Sequence, residues 1–416
     1  MMKLIEDLWF KRRDIISDGF DNSLEYIDNI IPLEIEEIST GSECWTWIVP
    51  DKWEVDAAWI KDREGNKLVD LKDHPLHVAS YSNPVHKRLT KDELMKHIYT
   101  DPKRPDAIPF RYKYYDDDWG FCIADDCLEE FKAEEYEVMI DSHFEAGNLK
   151  VGDFTIEGDS DKTILLMAHL CHPAMVNDDL TGVSVLVDLA KDLLEELNDN
   201  YYNYKFLFVP ERIGTIAYLS QNEDLIEDLE YGVFLEMVGN DNNFILQNSR
   251  QGESKIDKVA QYILERKESY RQKDFREVIG NDEVVVNGPG VDIPMVSIGR
   301  FPYPEYHTSD DTPDIISEER LLETKELLLD IIEVIEADYI PKRQFKGPVF
   351  LSRYDLWVDW RDDYELNQNL EEIMTKLEGN KSVLEIANEL EMDFWTVKDY
   401  LNKFYEHNLI TISKGE

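Results

Sequence analysis

Short, uninterrupted apolar runs alternate with amphipathic stretches from about residue 163 to residue 337. TILLMAHL, KFLFVPE, YGVFLEMV and PMVSIGR are each bounded by polar or turn residues, the pattern of strands buried in a mainly parallel or mixed sheet. Residues 183–197, 254–266 and 318–337 predict helices; in the first, Leu186, Leu189, Ala190, Leu193 and Leu194 recur at helical spacing. Such alternation predicts a three-layer α/β/α domain.

Other stretches break this pattern. Residues 41–130 are rich in Trp, Tyr, Pro and Asp, with short alternating segments such as CWTWIVPDKWEVDAAWI, and predict a β-rich inserted domain. Residues 1–40, helical in pattern, join 131–340 to form the α/β domain, with a β-hairpin expected over 136–158. After PKRQFKGPV, residues 371–378, SVLEIANELEM, DFWTVKDYLNKFYEHN and LITISKG read as helix, helix, helix and strand. That order predicts a winged-helix domain over 345–416.

Charge decides what such a unit can bind. Residues 346–416 hold eight Lys and Arg against fifteen Asp and Glu, and the whole 416-residue chain carries a net charge of −45. Phosphate backbones would be repelled, so neither nucleic acid nor an anionic membrane is the expected partner. No stretch approaches about 18 uncharged apolar residues, and the amino-terminal segment is interrupted by charges. Cys44, Cys122, Cys127 and Cys171 form no CxxC pair, which argues against a disulfide framework and makes a reducing cytoplasm the expected location.

Chemistry-bearing residues fall at the carboxyl ends of the predicted strands: His169 after TILLMA, Glu211 after FLFVP and Glu236 after GVFL. Open α/β sheets place their sites there. In VNDDLTG one carboxylate can cap the following helix while its neighbour faces a metal; Asp178 is assigned to the metal. Glu236 ends an apolar strand, where metal ligation or a buried ion pair must offset its desolvation. His307 precedes Asp310 and Asp311, which can hold a ligating imidazole. His172 is a rival ligand to His169, or a substrate contact. Two imidazoles, two carboxylates and a spare Glu211 to carry protons are what metal-assisted amide hydrolysis requires.

Taken in order, His169, NDDLTG, ERIG, LEMVG and YHTSDDT resemble the co-catalytic zinc aminopeptidases. HLCHP, PERIG, the NDE and NGPG of residues 281–290, the β-rich insertion and the terminal unit are similar to the aminopeptidase-like proteins of bacterial polysaccharide biosynthesis. The resemblance implies a zinc-exopeptidase fold and a first metal on His169, Asp178 and Glu236. It also implies Asp178 bridging to a second metal that includes His307, and Glu211 as general base. Two positions depart from the pattern. Arg212 stands where the second Glu of the family's EExG belongs, and Cys171 replaces the Asp of its HxD. A guanidinium cannot ligate zinc; Arg212 can stand in for the second cation, bind a substrate carboxylate or point away.

The expectation is therefore one firmly bound zinc, with the second weak or absent unless His172 or Glu305 rebuilds it. The expected activity is hydrolysis of a small peptide or aminoacyl amide bearing a free amine, with Glu283 or an acidic loop near that amine. A non-peptidase amidase or cyclase acting on a modified or sugar-linked amine, or a catalytically weak metal-binding protein, is the alternative. Self-association into a homo-oligomer stays open.

Overall fold

A computed structural model describes residues 1–197, 199–267 and 269–414. The chain divides into two compact units, Met1–Leu329 and Asp330–Glu416.

The first unit is built on an eight-stranded mixed sheet. Thr163–His169 lies between Asn203–Val209 and Leu229–Glu236, parallel to both, and Met295–Gly299 continues the parallel set beyond Leu229–Glu236. Glu34–Ser39 and Asn148–Ile156 extend the Asn203 side in antiparallel fashion, and Phe244–Gln247 with Tyr270–Lys273 complete the other side. Every residue of Thr163–His169 is buried, which explains why its sequence shows no polar alternation. The helix Leu180–Glu196 packs on this central strand. Lys255–Leu264 and Glu318–Ala337 are the other long helices expected.

The three central strands run the same way, with His169 in register beside Val209. Their carboxyl ends therefore gather at one edge of the sheet. His169 and Glu236 are the last residues of their strands, and Glu211 lies two positions beyond Val209.

Three local expectations need correction. Residues 136–158 do not form a hairpin: Glu135–Glu145 pairs with Lys52–Lys61 and Val85–Thr90 in a separate four-stranded sheet, whereas Asn148–Ile156 belongs to the main one. Adjacency in sequence suggested a pairing that each strand satisfies elsewhere. Nor is the amino-terminal segment wholly helical, since Glu34–Ser39 is an edge strand after helices Met2–Leu8 and Asp18–Asp28. Leu194, expected on the apolar face, is also exposed.

In the second unit, helices Tyr364–Thr375, Val383–Glu389 and Phe394–Glu406 accompany an antiparallel ribbon of Ile340–Arg343 and Ile410–Ser413. The first helix begins seven residues earlier than the sequence pattern suggested, because Asp363 caps it by accepting from the Leu366 amide. Leu370, Ile373, Val383, Ile386, Phe394, Val397, Leu401 and Phe404 are buried. Among the described residues, no helix is long and apolar enough to cross a membrane.

Candidate metal centre

The site begins with two neighbouring carboxylates that face different ways. Asp179 caps Leu180–Glu196: its Oδ1 accepts the Gly182 amide at 3.1 Å and the Met237 amide at 3.0 Å. A Cβ on Gly182 would lie 2.5 Å from that carboxylate, so the cap needs glycine there. Asn177 and Thr181 extend the same attachment. Asn177 Oδ1 accepts the Gly239 amide at 2.9 Å, and Thr181 Oγ1 accepts the Val238 amide at 3.2 Å. A side chain on Gly239 would collide with Thr181 at 2.5 Å. NDDLTG and LEMVG are thus one hydrogen-bonded assembly, which leaves Asp178 facing the strand ends.

Around Asp178 the imidazoles fall into two groups. Its Oδ1 lies 3.3 Å from His169 Nε2, which is 3.6 Å from Glu236 Oε1. Its Oδ2 lies 2.9 Å from His307 Nε2 and 3.9 Å from His172 Nε2. Two three-residue sets result, His169 with Asp178 and Glu236, and His172 with Asp178 and His307, and both have their donor atoms within 4.8 Å of one another.

Both oxygens of Asp178, both ring nitrogens of His169 and Glu236 Oε2 are buried without a hydrogen-bond partner. Buried polar atoms normally have partners, and orphans grouped in this way match a cation that collects them. The donor set, imidazole with carboxylate, suits zinc. His169, Cys171 and His172 also lie close enough together to form a group of donors.

The electrostatics point the same way. Burial opposes a charged His169, yet Asp178, Cys171 and Glu236 override it and raise the imidazole well above its ordinary value. Burial also works against ionised Asp178, but His172, His169 and His307 hold it well below the usual carboxylate range. Glu236 is pushed well up by burial, against the pull of His169. Asn281 Nδ2 donates to Glu236 Oε1 and fixes that carboxylate.

Glu211 lies beside this cluster, with Oε2 3.6 Å from His172 Nε2. Burial raises its pKa, so the carboxylate is a better proton acceptor than an exposed one. The neighbouring Arg212 adopts a left-handed backbone (φ 59°, ψ −60°), and the Ile213 amide reaches back to the Glu211 carbonyl at 2.6 Å. Asp282 stabilises this tight turn: its Oδ1 accepts the Arg212 amide at 2.8 Å and the Thr215 hydroxyl at 2.5 Å. Glu211, Arg212 and His172 share a cavity of about 310 Å³ with Phe110, Tyr112, Tyr114 and Tyr115 of the β-rich insertion.

Other residues singled out from sequence take indirect roles. Asp311 does not hold the His307 ring; it is buried and accepts the Asn177 amide at 2.7 Å, the Asp178 amide at 3.2 Å and the Tyr303 hydroxyl at 2.8 Å. It supports the loop that carries Asp178. Asp310 pairs with Arg104 of the insertion, and Glu305 lies 3.7 Å from the same guanidinium, so neither is directed at the imidazoles. Glu283 is buried away from the cavity. Gln247 donates to it at 3.1 Å and the Asn281 amide at 2.9 Å, so it steadies the residue that fixes Glu236 and does not line the pocket. Its pKa, pushed up to about 7 by burial, follows from that enclosure.

Three supporting residues escaped the sequence reading. Arg13 is buried beneath the HLCHPAM loop and donates to the carbonyls of Leu170, His172 and Met175. Phe110 packs its ring 5.4 Å from both His172 and His307. Asn281 was visible only as the first residue of NDE, with nothing in the sequence to direct it at Glu236.

Comparison with known proteins gives the same lineage. A Clostridium acetobutylicum protein provisionally described as a polysaccharide biosynthesis protein with an aminopeptidase-like domain is 33% identical over 417 residues, covering 98% of this chain and 95% of the relative. The crystal structure of a C. acetobutylicum protein provisionally described as a peptidase superposes with a TM-score of 0.86 at 31% identity, covering 99% of this chain and 96% of that one. The zinc aminopeptidase of Bacillus subtilis shares the fold at 16% identity, with a TM-score of 0.59 over 80% of this chain and 93% of its own. The family described as a domain of unknown function, DUF4910, matches residues 2–338. With a matched region that takes in the whole cluster around Asp178, the chain belongs to the DUF4910 family and has the zinc-aminopeptidase fold.

Proposed function

We propose that the protein is a metal-dependent hydrolase of an amide bond in a small amine-bearing substrate. The observation that carries this reading is the convergence of unpartnered donors of His169, Asp178 and Glu236 beside Glu211. His169, Asp178 and Glu236 would hold one cation. His172, Asp178 and His307 would hold a second, His172 taking the ligand position that Arg212 cannot fill. The first set brings two carboxylates and is fully buried, so it is the tighter; the second relies on one shared carboxylate oxygen and a part-exposed His307. When bound, zinc polarises the scissile carbonyl and makes water more acidic.

The rest of the chemistry belongs to the chain. Glu211 accepts the proton of the attacking water and returns it to the departing amine. Asp311 and Asp179 hold Asp178 in place through the loop backbone, and Asn281 fixes Glu236. Phe110 packs against the rings of His172 and His307 and shields one side of them from bulk water.

The tyrosine-rich cavity and the polysaccharide-related name of the C. acetobutylicum relative favour an amine attached to a sugar over a long peptide. A panel of aminoacyl and N-acylaminosugar chromogenic amides tests both readings with zinc-loaded protein. Turnover of at least one class is expected, and Glu211→Gln should lower it by about 10²- to 10⁴-fold while metal content stays unchanged. Equal turnover in the variant removes Glu211 from the mechanism.

A further inference from the structure

The cavity beside Glu211 contains two basic side chains with different surroundings. Lys113 Nζ is engaged, 2.7 Å from Asp118 Oδ2 and 2.7 Å from the Tyr99 hydroxyl. The Arg212 side chain makes no ion pair and no hydrogen bond among the described residues; its polar contacts are made by its backbone, the amide on Asp282 and the carbonyl accepting the Ile216 amide. In a chain with 89 acidic residues, a partner for a surface guanidinium is easily found. The left-handed turn is a sparsely populated conformation for a residue with a side chain, and buried Asp282, itself fixed by Thr215, maintains it.

Arg212 follows the proposed proton carrier in the chain and lines the same cavity. A guanidinium presents a planar fork that matches a carboxylate or phosphate with two parallel hydrogen bonds. Opposite it, Tyr112 and Tyr114 stack at 4.5 Å and 18°, and Tyr115 and Phe110 continue the apolar wall. A cavity with one unpaired cation and flat aromatic walls suits a ring-bearing or short-chain ligand with a single anionic group. We infer that Arg212 is a specificity determinant that recognises an anionic substituent, a carboxylate or a phosphate monoester, on the substrate next to the scissile amide. The position of that amide rests on the hydrolase reading; the anion preference does not.

The test uses full-length protein with matched dipeptide pairs, Ala-Glu against Ala-Gln and Ala-phosphoserine against Ala-Ser. In zinc-loaded wild type, kcat/KM for the charged member of at least one pair should exceed that for the neutral member about tenfold or more. The ratio should fall to near unity in Arg212→Gln and keep part of its size in Arg212→Lys. Which pair shows the larger ratio separates carboxylate from phosphate. Because carboxylates also bind zinc, the same ligands are titrated into metal-free protein by tryptophan fluorescence, where the same charged preference and the same loss are expected. If no dipeptide is hydrolysed but charged ligands still bind preferentially through Arg212, the hydrolase reading fails and this inference stands. Equal binding of charged and neutral members by metal-free wild type overturns it, as does a preference undiminished in a folded Arg212→Gln; should that variant not fold, wild type and Arg212→Lys decide.

Discussion

His172 Nε2 lies 3.9 Å from Oδ2 of Asp178, whereas His169 Nε2 lies 3.3 Å from the other oxygen of that carboxylate. This difference separates the second donor set from the first. On the proposed reading His172 takes the ligand place that Arg212 cannot fill, and a second cation would depend on it.

Metal content should respond accordingly. Zinc-loaded wild type is expected to bind up to two ions per chain with unequal affinity. His172→Ala should lose the weaker ion and retain the tighter one, whereas Glu236→Ala should lose the tighter one. Mass spectrometry of metals after graded chelation reads this directly. Two equally tight ions in His172→Ala would show that its ring is no ligand.

Arg13 should matter to stability out of proportion to its distance from the surface. Its guanidinium donates to five backbone carbonyls, those of Leu8, Trp9, Leu170, His172 and Met175, and burial pushes its pKa down to about 10. Arg13→Met leaves those carbonyls without a donor and should cost about 3 kcal/mol or more. Arg13→Lys, with three donors, should recover part of this. Denaturant titration is the measurement; a loss below about 0.5 kcal/mol would mean that water replaces the side chain.

A clasp joins residues 104–110 to the His307 segment. Arg104 pairs with Asp310, the Phe110 amide donates to the His307 carbonyl at 2.8 Å, and the Ser309 amide donates to the Ile108 carbonyl at 2.8 Å. Arg104→Ala should speed hydrogen exchange at Phe110 and Ser309 roughly five- to tenfold, the effect of losing a part-buried ion pair. Exchange elsewhere in the central sheet should not change.

The insertion also contributes a pH dependence. His74 caps the short helix Pro75–His77, its Nδ1 accepting the Leu76 amide at 3.1 Å, a contact only the neutral ring can make. Burial, with His77 adding to it, pushes its pKa down to about 4 from 6.5. Between those values the unfolded chain takes up the proton more readily than the folded one. The stability contribution is therefore complete above about pH 6.5 and declines as pH falls towards 4. His74→Asn keeps an acceptor at the cap without the titration, so its Tm should fall less than that of wild type between about pH 7 and pH 5.

The sheet was legible because its central strands are buried on both faces, which forces runs such as ILLMA and FLFV to be apolar. Site residues at strand ends followed from the same logic, and the split between Asp178 and Asp179 was readable because an N-cap needs one carboxylate in a fixed place. The roles of Asp310, Asp311 and Glu283 were not. Each sits close in sequence to a site residue, but its partner, Arg104, the Asn177–Asp178 backbone or Gln247, comes from a distant segment. Arg13 shows the same limit, 159 residues from the His172 carbonyl that it braces. Pairings of that span depend on how elements pack, which periodicity does not record.

The wall that faces Glu211 and Arg212 comes from Phe110 and Tyr112 to Tyr115, whereas the cluster around Asp178 hangs on the central sheet. On the proposed reading the aromatic contacts to substrate come from one stretch of chain, and the reacting groups, with Arg212 beside them, from others. Substitution in the aromatic stretch would then alter which ligands fit while leaving the donors around Asp178 in place.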